Sequence, residues 1–147
     1  TGGVLKKPAI GADVGGVGFD RELEEQWIEV NVQGIRNVMK HLGMLAGEPE
    51  LPDKYLVWRK RWRVNPSLGG YLHVTIAPEL GKEVSKGDVL GRVVSPYTFE
   101  LLEELVAPGD GYVMYTARSY PVRPGDWAFG VVDDADPHTR WLSAGEI

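Results

Sequence analysis

Cysteine is absent from the 147 residues of the chain. Disulfide bonds and thiolate metal ligands are therefore excluded. The absence is typical of proteins from a reducing compartment, and we predict a cytoplasmic location. No apolar run reaches the roughly 20 residues that a membrane-spanning helix needs. Acidic residues outnumber basic ones by 21 to 16, which gives a net charge of −5. We therefore expect neither a membrane nor a nucleic acid as a partner.

Histidine is scarce, since the chain has only His41, His73 and His138. None of them is followed three residues later by glutamate or aspartate, so the paired ligands of one common kind of zinc site are missing. The acidic group in DDADPH (133–138) could in principle bind a metal ion, but a solvated end of the chain makes a poor cage. We predict that this sequence supplies no metal ligands.

One stretch of the sequence occurs twice. GYLHVTIAPELGKEVSKGDVLGRVV (70–94) recurs in shortened form as GYVMYTARSYPVRPGDWAFGVV (111–132). Such a doubling indicates two copies of one β-unit that close on each other. It predicts an architecture for the second half of the chain without indicating a chemistry. The matched positions are Tyr71 and Tyr112, Ala77 and Ala117, Val84 and Val122, and the pairs Gly87-Asp88 and Gly125-Asp126.

The first part of the chain has an α/β pattern. The apolar run after Pro8 suits a buried strand and ends at the glycine-rich turn GGVG (15–18). Asp20 is a good N-cap, and the apolar residues from there to Leu42 follow helical spacing. Gly43 is well placed to end this helix. Because one strand and one helix do not form a domain, we expect the helix to pack against a larger α/β layer.

A linker and an alternating strand come next. AGEPELPD (46–53) has the proline, glycine and acid content of a linker. YLVWRKRWRV (55–64) alternates as a half-buried strand does, with two tryptophans inside and Arg59, Arg61 and Arg63 outside. Arginines interleaved with tryptophan can follow a phosphate backbone, and one arginine could pair with a substrate carboxylate. The simpler interpretation is a solvated strand face.

Several short motifs, taken in order, resemble the succinylglutamate desuccinylase/aspartoacylase family. Members of this family are zinc-dependent amidohydrolases with a zinc-carboxypeptidase-like α/β domain and a C-terminal β-domain. The similarity lies in the order and spacing of the motifs rather than in any one of them. They are PAIGADVGG (8–16), GIRNVMKHLGML (34–45), the glycine pair 69–70, VSKGDVL (84–90), APGDG (107–111) and PGD (124–126).

This resemblance implies a mostly β fold with three parts. Residues 1–45 would be the C-terminal strand and helix of the zinc-peptidase-like catalytic domain, and residues 46–54 a linker. Residues 55–147 would form a barrel-sandwich hybrid β-domain of the biotinyl/lipoyl type. A carrier role is excluded, because the stretch 92–118 contains no lysine to modify. The missing zinc ligands imply a C-terminal part of a larger enzyme, inactive alone and partnered by the N-terminal catalytic part.

The implied activity is hydrolysis of an N-acyl amino acid or a similar small amide. Asp13 occupies the position of the family's catalytic glutamate and would take a proton from the attacking water, with Gly15 and Gly16 shaping the adjacent turn. Aspartate is one methylene shorter than the family's glutamate. The alternative to a catalytic role is that Asp13 only caps this turn.

The β-domain of the family leans over the catalytic cleft. Tyr120 and Trp127 are therefore predicted to line the substrate channel, with burial in the core of the β-domain as the alternative. The alternative for the whole chain is a non-catalytic β-barrel that serves as an interaction or lid domain and has no activity of its own.

Overall fold

The computed structural model of the protein describes residues 10–12, 21–76, 81–118, 120–143 and 146. The fold is mostly β with a helix, as predicted, and it divides into two compact units, Thr1–Leu51 and Pro52–Ile147. The predicted division at residues 45 and 54 stays a prediction. The elements are α1 (Arg21–His41), β1 (Lys54–Val57), β2 (Arg61–Val64), β3 (Gly70–Val74), β4 (Glu83–Val84), β5 (Val89–Val94), β6 (Leu101–Val106), β7 (Gly111–Thr116), β8 (Pro121–Val122), β9 (Phe129–Asp133) and β10 (Arg140–Ser143).

Helix α1 ends where the sequence predicted. The N–H of Gly43 donates to the carbonyl of Lys40, and Gly43 has a φ of 70°. The predicted N-cap, Asp20, lies outside the described residues. None of the residues in α1 is buried, and its apolar side chains Ile28 and Ile35 are exposed. Within the described residues, no helix is long and apolar enough to cross a membrane.

The two copies of the repeat exchange their short strands. In each copy the first strand pairs with the last, β3 with β5 and β7 with β9. The short middle strand of each copy pairs with the first strand of the other copy, β4 with β7 and β8 with β3. The resulting four-stranded sheets have the orders β2-β9-β7-β4 and β6-β5-β3-β8. The prediction of two units that close on each other is thereby confirmed.

The matched Gly-Asp pairs form the same turn in both copies. Asp88 accepts the N–H of Ser85 at 2.8 Å, and Asp126 accepts the N–H of Arg123 at 2.9 Å. The two turn glycines, Gly87 and Gly125, have φ values of 92° and 87°. Side chains with a Cβ rarely adopt this left-handed conformation, so glycine is favoured at both positions. The aspartate satisfies the backbone of the turn, which explains why both residues recur.

One hydrophobic core lies between the two sheets. Each sheet supplies buried side chains to it, for example Leu72 and Leu90 from one sheet and Val113 and Phe129 from the other. The copies are complementary rather than identical here. Phe129 is completely buried, and its counterpart in the first copy is Gly91, where a Cβ would lie 2.9 Å from Cζ of Phe129. The large residue of one copy fills the space that the small residue of the other leaves.

Gly111 begins β7 at a close approach to the backbone of β9. A methyl group at this position would overlap the carbonyl of Val132. We expect Gly111→Ala to lower the unfolding free energy of the β unit by more than about 2 kcal/mol, because a backbone atom cannot move aside cheaply. Gly69→Ala is the matched control, since its Cβ would make ordinary contacts at 3.5 and 3.6 Å. Denaturant unfolding of both variants measures the difference, and equal stabilities would contradict the packing described.

The predicted single strand 55–64 is wrong, because two strands with different partners occupy it. β1 pairs with β10, whereas β2 pairs with β9 after the irregular residues 58–60. The predicted solvated acidic end is also wrong in part. A tight turn follows Asp133, and the chain then returns as β10, with Trp141 packed edge-on against Tyr112 at 5.6 Å.

Candidate functional site

The predicted catalytic carboxylate lies outside the described residues. Asp13 and the two turn glycines, Gly15 and Gly16, fall in the range 13–20, whose structure is not described. Their predicted roles therefore stay predictions. The candidate site within the described residues lies in the β unit, around the predicted side chain Trp127.

Trp127 is held in one orientation by two contacts. Its ring stacks on Tyr115 with a centroid separation of 4.3 Å and an angle of 22°. Its Nε1–H donates to the backbone carbonyl of Phe129 at 2.9 Å. Tyr115 can lie close to β9 because Gly130 has no side chain, and a Cβ there would lie 3.3 Å from that of Tyr115. The half-buried indole is thus a fixed surface rather than a mobile side chain.

Two arginines cover this indole. The guanidinium carbons of Arg61 and Arg63 each lie 5.2 Å from the centroid of the Trp127 ring. The guanidinium of Arg61 also lies 5.4 Å from the ring of Trp58. We call Trp58, Arg61, Arg63, Tyr115 and Trp127 the arginine–tryptophan cluster.

The alternation of β2 places the arginines in this cluster. Residues two apart on a strand share a face. Trp62 packs against the core and over Gly109, and Val64 is buried, so Arg61 and Arg63 project from the opposite face. The predicted faces are confirmed for β2. Trp58 lies outside the strand and packs beside Arg61 instead of sharing the inner face with Trp62, which corrects that part of the prediction.

Tyr120, the other predicted channel residue, has a different environment. Its half-buried ring packs against the core, and its carbonyl accepts the N–H of Leu72 at 2.9 Å. In the part of the chain that the structure describes, no ring contact joins Tyr120 to Trp127. The two predicted substrate-binding residues are therefore in different surroundings, and their roles stay predictions.

The aspartates before His138 accept backbone hydrogen bonds within a turn. Oδ1 of Asp136 accepts the N–H of His138 at 2.8 Å and lies 3.0 Å from Nδ1 of the same histidine. Oδ1 of Asp133 accepts the N–H of Ala135 at 3.0 Å. The described residues include no group of three or more His, Cys, Asp or Glu that could hold a metal ion. These carboxylates stabilise the turn between β9 and β10.

The pKa of Asp136 lies below its ordinary value of 3.8. The main cause is the backbone N–H of His138, which favours the ionised form. The His138 ring and Lys60, whose Nζ lies 3.9 Å away, act in the same direction, and desolvation opposes them. Asp136 is therefore a negatively charged, nearly buried anchor at neutral pH.

The Asp136→Asn variant is expected to be less stable than the parent at neutral pH. Because the folded pKa is lowered, the stabilisation is present above about pH 4 and is lost as the pH falls through the folded pKa. The difference between the two melting temperatures should therefore shrink below about pH 4. Melting curves across this range measure it, with Asp134→Asn at an exposed carboxylate as the control. A difference that did not change with pH would contradict the electrostatic account.

The chain is similar to known proteins of solved structure. No family model and no curated protein matches the chain. A succinylglutamate desuccinylase/aspartoacylase from Rhodobacter sphaeroides matches with a TM-score of 0.63 and 25% identity, over 76% of this chain and 36% of that one. The product-bound ectoine utilization protein EutE (DoeB) from Ruegeria pomeroyi matches with a TM-score of 0.63 and 29% identity, over 73% and 33%.

A third solved structure supports the same similarity. A succinylglutamate desuccinylase from a Silicibacter species has a TM-score of 0.61 and 29% identity, over 74% of this chain and 34% of its own. The chain thus spans about a third of the length of the structures it matches. Over about three quarters of its length, it is similar in structure to the succinylglutamate desuccinylase/aspartoacylase family, the family that its motifs resemble.

Proposed function

We propose that this chain is the C-terminal part of a zinc-dependent amidohydrolase that removes the acyl group from an N-acyl amino acid or a similar small amide. The observation that carries the proposal is the structural match, which covers 73 to 76% of the chain with TM-scores of 0.61 to 0.63. On this proposal the β unit is the barrel-sandwich hybrid domain of the enzyme. The first 45 residues are then the last strand and helix of its α/β domain.

The exposed apolar face of α1 supports this arrangement. Ile28 and Ile35, which are seven residues apart and so share one face of the helix, are 61% and 58% exposed. Burying such side chains contributes about 1.5 to 3 kcal/mol each, so a helix of this composition is stabilised by a packed neighbour. The remaining α/β domain of a longer protein would supply that neighbour.

The described residues do not fit a zinc site. We therefore assign the zinc ligands to the N-terminal part of the same protein, and we expect the isolated chain to be inactive. Asp13 is proposed as the carboxylate that takes a proton from the attacking water, with Gly15 and Gly16 forming the turn beside it. Tyr120 and Trp127 are proposed to face the N-acyl substrate. The stacking of Trp127 on Tyr115 and its hydrogen bond to Phe129, which fix the orientation of the indole, support its assignment.

One observation favours the alternative of a non-catalytic interaction or lid domain. The turn between β5 and β6 presents Tyr97 and Phe99 with 90% and 79% of their surface exposed. The turn is also well ordered by hydrogen bonds, because Oγ of Ser95 accepts the N–H groups of Tyr97 and Thr98. Exposed aromatics on a fixed turn are typical of a contact surface.

A substrate panel tests the proposal in the longer protein that contains this chain. N-acetyl and N-succinyl amino acids are incubated with the enzyme before and after treatment with a chelator. The proposal predicts release of the free amine, its loss on chelation and its recovery when zinc is restored. Turnover that survives complete removal of metal would overturn the zinc assignment. The absence of turnover on every N-acyl substrate would favour the interaction domain.

A further inference from the structure

The arginine–tryptophan cluster concentrates positive charge that no acidic side chain among the described residues neutralises. The guanidinium groups of Arg61 and Arg63 lie over the same indole ring. Neither forms an ion pair or a side-chain hydrogen bond within the residues that the structure describes. This is unusual in a chain of net charge −5, in which carboxylates are abundant.

Three carboxylates that precede or follow Trp127 in the chain accept backbone N–H groups in turns. Asp126 accepts the N–H of Arg123, and Asp133 accepts the N–H of Ala135. Asp136 accepts the N–H of His138. Each of these acids stabilises a turn, and none of them forms an ion pair with Arg61 or Arg63.

The cluster is also rigid. Arg61 is half-buried and lies between the rings of Trp58 and Trp127 at 5.4 and 5.2 Å. Trp127 is fixed in turn by Tyr115 and by the carbonyl of Phe129. A cation–π contact does not use up the N–H donors of a guanidinium, so they can still bind a ligand. Donors that are already ordered lose little entropy on binding, which favours affinity.

We propose that this cluster is a binding site for the oxyanion group of a small molecule, a carboxylate or a phosphate. Guanidinium groups match both anions, because two parallel N–H donors meet two oxygens of the ligand. Arg61 and Arg63 are roughly 7 Å apart along the strand, so both can reach one anionic group between them. The indole of Trp127 supplies an apolar floor beside it. This site does not depend on the proposed hydrolase activity.

Titration of the intact 147-residue chain followed by NMR tests the site. The probes are succinate, inorganic phosphate and sodium chloride at constant ionic strength, and the signals are the Arg Nε–H groups and the indole N–H of Trp127. We expect saturable shifts of these signals with succinate or phosphate and a dissociation constant on the order of 1 mM. The anion that saturates at the lower concentration identifies the ligand class. Shifts that are linear, or equal in chloride, would overturn the proposal.

Substitutions distinguish binding at the cluster from nonspecific attraction of anions to positively charged side chains. The double variant Arg61→Gln/Arg63→Gln should weaken binding by at least about tenfold. Arg59→Gln and Arg123→Gln remove exposed arginines outside the cluster and should change the affinity less than about twofold. If the double variant does not fold, Arg63→Gln alone is used, because Arg63 is exposed. Unchanged binding in the cluster variants, or equal losses in the controls, would overturn the assignment.

Discussion

The Phe129→Ala variant is expected to lose about 3 to 5 kcal/mol of unfolding free energy. Phe129 is completely buried between the two sheets, and its ring fills the space left by Gly91. Removing the ring forfeits the burial of a large apolar surface and leaves a cavity that close-packed strands cannot collapse into. For a domain of this size the loss corresponds to a fall in melting temperature of roughly 15 to 30 °C.

A second phenylalanine provides the matched control. Phe99 is 79% exposed on the turn between β5 and β6, so Phe99→Ala should change the stability by less than about 0.5 kcal/mol. Phe129→Leu keeps part of the buried surface and should give an intermediate loss if the alanine variant does not fold. Thermal and denaturant unfolding measure all three variants. Equal losses for Phe129→Ala and Phe99→Ala would contradict the core described here.

The repeat could be recognised from the sequence because its turns have strict local requirements. Gly87-Asp88 and Gly125-Asp126 recur since a left-handed glycine and an aspartate that accepts a backbone N–H are needed in each turn. The exchange of β4 and β8 between the copies was not predictable in this way. Pairing between strands of different copies depends on the closure of the whole core, which a short motif does not encode.

The arginine–tryptophan cluster shows why the candidate site was only partly predictable. Alternation in β2 placed Arg61 and Arg63 on the outer face, since residues two apart share a face. Their partner Trp127 is 64 residues from Arg63 in the sequence and joins them only because β2 pairs with β9. Asp136 was missed for a similar reason, because an acid-rich segment looks solvated until the N–H of His138 is seen to satisfy its carboxylate.

The Asp13→Asn variant of the longer protein is expected to lower kcat by about 100- to 10,000-fold. This expectation depends on the proposed function. Asparagine has nearly the same shape as aspartate but cannot accept a proton from water at neutral pH, so the chemical step loses its base. KM should change little if the substrate does not bind through this side chain. Steady-state kinetics on the N-acyl substrate that gives the fastest turnover measures both constants.

Asp13→Glu is the matched control, because it keeps the carboxylate and introduces the glutamate that the family resemblance implies at this position. It should retain much more activity than Asp13→Asn, since a carboxylate is still present. We expect an ionisation on the acid side of the pH–rate profile of Asp13→Glu and none from this side chain in Asp13→Asn. An unchanged kcat in Asp13→Asn would show that Asp13 is not the base and only shapes the turn.

The most direct test of the account is the zinc content of the purified 147-residue chain, measured beside that of the longer protein that we propose contains it. We predict about one zinc ion per molecule of the longer protein and no stoichiometric zinc on the isolated chain, because the proposed function assigns the ligands to the N-terminal part. Stoichiometric zinc on the isolated chain, or a longer protein that binds none, would contradict the assignment of this chain as the metal-free C-terminal part of a zinc amidohydrolase.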